Sequence, residues 1–205
     1  ATHLRGITIP GLANAHSHAL HRALRARTQT GAGDFWAWRR LMYDLVDELD
    51  PDRYYALARA TYAEMALAGI TAVGEFHYLH HDHGGRRYQN PNAMGEALLA
   101  AAADAGLRIT LIDTCYLQAT VGGDALETSQ LRFSDGDPEA WAERVDALSE
   151  SQTARIAAAI HSVRAVDPAS MQTVIDWAGR RNAPLHVHLS EQMRENEECI
   201  ARTGM

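Results

Sequence analysis

Short apolar runs rich in β-branched residues alternate with longer amphipathic segments along this sequence. The runs cover residues 7–15, 71–78 (TAVGEFHY), 108–116 (RITLIDTCY), 155–163 (RIAAAIHSV) and 184–190 (PLHVHLS). Residues 35–49, 51–68, 92–105, 138–148, 167–181 and 191–203 space their apolar positions as helices do. Asp50-Pro51 stops the first helix, Asp167 N-caps a later one with Pro168 in its first turn, and Gly69, Gly106 and Gly204 each end a helix. Strands that alternate with helices in this way pair in parallel through helical crossovers. The runs are apolar on both faces, as buried parallel strands are. Two α/β architectures fit: an open doubly wound sheet, or a (β/α)8 barrel of the TIM type.

Two observations favour the barrel. No glycine-rich phosphate loop follows the first strand. Polar side chains instead gather where the strands end: His16, His18, Glu75, His77, Tyr78, His161, Arg164, His188 and Glu191. Barrel enzymes build their sites at that face. About five βα units are present, against the eight of a closed barrel. The expectation is that residues 1–205 form the N-terminal and central portion of a barrel whose remaining strands lie elsewhere.

Composition narrows the partners. Hydrophobic residues make up 46% and charged residues 22%, as in an ordinary globular domain. A net charge of -7 disfavours a nucleic-acid or anionic-membrane surface, both of which reward basic faces. No apolar run approaches the roughly 20 residues that span a bilayer, and residues 1–5 do not read as a signal peptide. Cys115 and Cys199 stand far apart in no metal or redox spacing. A cytoplasmic protein with a small-molecule ligand, and no nucleic-acid or membrane partner, is expected.

The histidines carry the chemistry. His16 and His18 are two apart on a strand, so both imidazoles face one side and can reach one metal. By itself the pair is as readily two capping or surface histidines. His186 and His188 repeat the spacing, and Glu191 follows where the strand should turn to loop. A metal that acidifies water, beside a carboxylate that moves the proton to a leaving nitrogen, is what hydrolytic deamination needs. The plain alternative is a core histidine and a solvated helix-start glutamate, and His186 fits that alternative. Arg164 can grip a carboxylate with two hydrogen bonds or sit in a surface ion pair. Tyr78 can bind substrate or close the core edge. The aromatic run 35–40 (FWAWRR) can form a lid with Arg39 as an anion donor, or simply pack. His80, His81 and His83, around Asp82, read as solvated loop histidines.

The segment 10–18 (PGLANAHSH) resembles the first-strand signature of the amidohydrolase superfamily. FWAWRRLMYD, GITAVGEFHYLHHD, HSVRAV and LHVHLSEQ resemble, within it, the formiminoglutamate deiminase family, over nearly the whole chain. The resemblance implies a distorted (β/α)8 barrel with a small β-sandwich, a homodimer at full length, and one Zn2+ or another divalent ion per site. It implies His16, His18 and His188 as metal ligands and Glu191 as the acid/base. It assigns His21, Arg39, Tyr78, His161 and Arg164 to substrate binding. The implied reaction is hydrolysis of the formimino C=N of a dicarboxylate to a formyl group, with release of ammonia. Other expectations are a deaminase of an aminated ring, or a non-catalytic half-barrel. The chain departs from the family by placing His21 where the family has glutamine. It also lacks the regions that supply a histidine from the sixth strand and a metal-binding aspartate from the eighth.

Overall fold

A computed structural model describes residues 6–28 and 35–204, with the backbone alone for 35–37. Residues 29–34, which include the glycine-rich loop at 31–33, and the side chains of Phe35 and Trp36 lie outside the described residues. Five strands alternate with helices: β1 (Leu12–Ser17), α1 (Phe35–Glu48), α2 (Pro51–Leu67), β2 (Ile70–His77), α3 (Ala93–Ala105), β3 (Arg108–Cys115), α4 (Pro138–Asp146), β4 (Ala154–Ser162), α5 (Pro168–Arg181), β5 (Leu185–His188) and α6 (Met193–Thr203). All neighbouring pairs are parallel, in the order β1-β2-β3-β4-β5. A doubly wound sheet reverses its strand order at a switch point. This sheet never does, so it is one curling half of a barrel.

Three helices start on the same dipeptide. Asp50-Pro51, Asp137-Pro138 and Asp167-Pro168 open α2, α4 and α5. Each aspartate accepts from a backbone N–H of the first turn: Arg53, Ala140, and both Ala169 and Ser170. Proline fixes the first helical φ where no N–H is needed. The main core fills the space between the sheet's outer face and the helices, with Leu98, Leu111, Trp141 and Trp177 almost wholly buried. Among the described residues, no helix is long and apolar enough to cross a membrane.

Two strands differ from their sequence-based bounds by more than one residue at an end. The first begins at Leu12 rather than at residue 7 and runs on to Ser17. Pro10 has no N–H for a ladder, and a Cβ on Gly11 would lie 2.2 Å from Thr71 Cγ2, so the chain passes β2 there as bare backbone. The fifth strand stops at His188, because Ser190 adopts a left-handed φ of 58°.

Alternation on β2 separates two layers. Phe76 faces the barrel interior, where its ring meets those of His16 and His188. Glu75 and His77 face the helices. Glu75 is fully buried and accepts from Ala19 N at 2.6 Å, tying the turn after His18 to β2. Burial raises its pKa to about 7, against the lowering pull of its hydrogen bonds. The folded state therefore binds this proton more tightly than the unfolded chain. Its own contribution to stability is full below the ordinary carboxylate pKa, falls as pH rises towards 7, and is gone above it. Glu75→Gln keeps the acceptor for Ala19 N and removes the charge. The buried histidines titrate alike in both proteins, so the comparison isolates this carboxyl: in thermal unfolding, the stability of the wild type relative to Glu75→Gln should be about 2–3 kcal/mol more favourable at pH 5 than at pH 8.

The loop after β2 corrects an expectation. His80 and His81 are not solvated; both are buried, and His83 alone of the three is exposed. His80 donates from Nε2 to the Thr114 carbonyl at 2.9 Å. His81 lies 3.0 Å from the buried Asp135. Arg132, fully buried, donates to the carbonyls of His81, Val46 and Leu49. It thereby joins the end of α1 to this loop.

Candidate metal centre and adjoining pocket

β1 and β5, the two outermost strands, bring three imidazoles together. The Nε2 atoms of His16, His18 and His188 form a triangle with every edge at 3.2 Å. His18 donates from Nδ1 to the Phe76 carbonyl at 3.1 Å. A carbonyl can only accept, so this bond fixes the tautomer and turns the Nε2 lone pair towards the other two rings. A neutral ring nitrogen offers either one N–H or one lone pair, so hydrogen bonds cannot satisfy all three edges. A cation can. Tetrahedral nitrogen ligands about 2.0–2.1 Å from a zinc ion lie roughly 3.3–3.4 Å apart, which matches the observed edges closely. The donor set and its spacing therefore fit a divalent metal. Burial, reinforced by neighbouring histidines, pushes the pKa of His18 down to about 2 and that of His188 to about 4. The rings are neutral and free to ligate at ordinary pH.

Curvature at the β1–β2 edge helps to deliver these ligands. The register slips between Asn14 and Ser17. Gly74 opposes the slip, and a Cβ there would stand 2.6 Å from the Ala15 carbonyl oxygen. His186 points the same way as His188 but one layer deeper, with its ring stacked 6.2 Å from that of His16. It is not part of the triangle.

A cavity of about 260 Å3 opens beside the triangle. It gathers His21, Arg39, Tyr78, His161, Arg164 and Glu191, so every residue expected to bind substrate or move protons lines one space with His18 and His188. His21 Nε2 and the Tyr78 hydroxyl share a hydrogen bond of 3.0 Å. Burial, then the charges of His188 and His16, lower the His21 pKa to about 4. Arg39, on α1, donates from Nε to the Tyr43 hydroxyl at 2.7 Å. His161, next to last on β4, meets the rings of Tyr78 and Tyr116 edge-on. Arg164 donates from Nη2 to Glu191 at 2.5 Å and from Nε to Glu195 at 2.8 Å.

Sequence reasoning did not single out Met42, Tyr43, Tyr116, Phe133 or Glu195. The first four line the cavity. Tyr116 was within reach, because it follows β3 much as Tyr78 follows β2. Met42 and Tyr43 sit one turn beyond Arg39 on the same helix. Glu195 gave no signal, being one of several glutamates on a polar helix.

A second cluster with ligand-like geometry, His77, His80 and Asp113, lies fully buried on the helix side of the sheet. A protein cation already serves it. Arg144 forks onto both Asp113 oxygens at 2.7 and 3.0 Å, and Trp141 donates to the same carboxylate at 3.0 Å. The His77–His80 contact of 3.3 Å completes a hydrogen-bonded network with no free edge at the carboxylate. We assign it a structural role.

The family model described as "Amidohydrolase family" matches residues 7–205. The chain is 39% identical over 210 residues to formimidoylglutamate deiminase of Pseudomonas aeruginosa, covering 100% of this chain and 46% of that protein. It is 24% identical over 207 residues to 8-oxoguanine deaminase of the same organism, covering 98% of this chain and 44% of that protein. The fold superposes on the crystal structure of an amidohydrolase from Brucella melitensis with a TM-score of 0.85 and 36% identity, over 96% of this chain and 45% of that one. The chain thus spans less than half the length of these relatives.

Proposed function

The chain belongs to the amidohydrolase family, and from that premise we propose that it is the N-terminal and central portion of a zinc-dependent formiminoglutamate deiminase. The reaction adds water across the formimino carbon–nitrogen double bond of N-formimino-L-glutamate. The carbon becomes a formyl group, still attached to the glutamate nitrogen, and the terminal nitrogen leaves as ammonia. The remaining barrel strands and a β-sandwich belong to the rest of the gene product. Two cysteines with no disulfide between them suit a reducing cytoplasm.

The observation that carries the reading is the pairing of Arg39 and Arg164 in the cavity that opens on the imidazole triangle. His16, His18 and His188 would hold a divalent cation, which would supply the positive charge that makes water acidic enough to react at neutral pH. Glu191, at the pocket wall, takes a proton from the attacking water and delivers it to the departing nitrogen. Arg164 and Arg39 hold the two substrate carboxylates, where a guanidinium fork matches a carboxylate edge to edge. His161 and Tyr78 close the wall beneath the amidine, and His21, bonded to Tyr78, fixes the hydroxyl's direction.

A second reading has its own support. The aromatic walls, Trp38, Tyr78, Tyr116 and Phe133, suit a flat ring, and the likeness to 8-oxoguanine deaminase extends over nearly the whole chain. Charge separates the two, because a neutral ring needs no paired arginines. In the zinc-loaded full-length enzyme, Arg164→Met should raise KM for N-formimino-L-glutamate about 10–100-fold, the loss expected for a charge-assisted hydrogen bond. Ammonia release from aminated purines with none from formiminoglutamate would replace the deiminase reading with the ring reading.

A further inference from the structure

We propose that Glu195 is a positioning residue that orients Arg164 and fixes the turn presenting Glu191. The inference rests on the deiminase reading for the identity of the ligand, but not for the geometry. Helix α6 faces solvent along nearly its whole length. Glu195 is its one buried residue among those described, at 2% exposed. A buried carboxylate is costly unless its oxygens are paired, and here both are. Oε2 accepts from Arg164 Nε at 2.8 Å, and Oε1 accepts from Ser190 N at 3.1 Å.

Each partner bears on the site. A guanidinium is planar, so holding Nε fixes the plane and the direction in which the two Nη groups point. Arg164 Nη2 reaches Glu191, and the same residue lines the cavity. Ser190 sits in the left-handed region, where a residue with a Cβ is strained. It stands between the metal-facing His188 and Glu191. A hydrogen bond from its N–H to a fixed carboxylate is what a strained turn requires to persist. Glu195 also pairs Arg164 from the side away from the substrate. When a substrate carboxylate takes the Nη edge, Glu191 is released for proton transfer and Arg164 stays where it was.

The two limbs can be separated experimentally. Glutamine at 195 still accepts from Ser190 N but no longer offers a charge to Arg164; alanine removes both contacts. In the zinc-loaded full-length enzyme, calorimetry with N-formyl-L-glutamate should show affinity about tenfold weaker in Glu195→Gln. The double variant Arg164→Met/Glu195→Gln should bind no more weakly than Arg164→Met. Hydrogen exchange at the Ser190 amide should match wild type in Glu195→Gln and accelerate more than about tenfold in Glu195→Ala. Lower thermal stability with unchanged product affinity and unchanged Ser190 exchange would make Glu195 a merely structural residue and overturn the proposal. If the wild type binds no N-formyl-L-glutamate, the deiminase reading fails. The exchange at Ser190 in Glu195→Ala then decides the positioning role, with unchanged exchange overturning it.

Discussion

Replacing Glu191 with glutamine in the zinc-loaded full-length enzyme should reduce ammonia release from N-formimino-L-glutamate about a thousandfold, within the range set by general acid–base catalysis. Zinc content should not change, because Glu191 is not one of the three converging nitrogens. KM should not rise, since glutamine carries no charge to compete with a substrate carboxylate for Arg164. A large loss in kcat without a rise in KM marks a group that acts in the transition state rather than in ground-state binding. Metal analysis alongside steady-state kinetics checks both parts. Turnover within tenfold of wild type would move the proton-transfer role to another residue.

Arg144→Met is the substitution with the largest expected cost in stability. Arg144 is 5% exposed, and its guanidinium stands between two buried carboxylates, Asp113 and Asp135. Burial opposes the charge of Asp135, yet the His81 contact and Arg144 hold its pKa down to about 2. Removing the cation leaves both carboxylates in the core with their charges uncompensated. Breaking one buried pair in this way costs about 3–5 kcal/mol, and two carboxylates depend on Arg144. Chemical unfolding of the full-length protein should show a loss at the upper end of that range. Arg144→Met/Asp113→Asn should recover part of it, because the second change removes one of the stranded charges. Equal stability of the single variant and the wild type would show that the network contributes nothing.

The parts of the fold legible in the sequence were those written locally. The aspartate and proline at residues 50–51, 137–138 and 167–168 mark helix starts by a mechanism confined to four residues. Strand periodicity located β2, β3 and β4 to within a residue or two, since both faces of each are covered. The order β1 to β5 was not legible from periodicity, because an open sheet and a barrel bury their strands alike. Residues 80–83 misled for a related reason. Their composition (HHDH) is that of a solvated loop, but His81 is matched by Asp135, more than fifty positions away, and the loop is closed by Arg132. The ligand spacing of His16 and His18 was readable on one strand. Their meeting with His188 rested on resemblance until the sheet showed its curl. Glu195 could not be read at all, because a buried carboxylate on a polar helix looks like its solvated neighbours until its partners are placed.

The three nitrogens of the triangle come from the ends of the first and fifth strands, 172 positions apart at the extreme. Synthesis is vectorial, so a nascent chain that has released β1 to β4 offers two imidazoles and no third. The fifth strand must dock before the triad exists, and it docks only on a sheet already carrying the right curl. Capture of an ion by all three imidazoles would thereby wait on the docking of the fifth strand, and contacts of such long sequence separation are the slow ones to form. An ion held there would tie strand one to strand five, so that its affinity would become a restraint on the arc itself. A metal seated at the triangle would thus report that strands one and five have met.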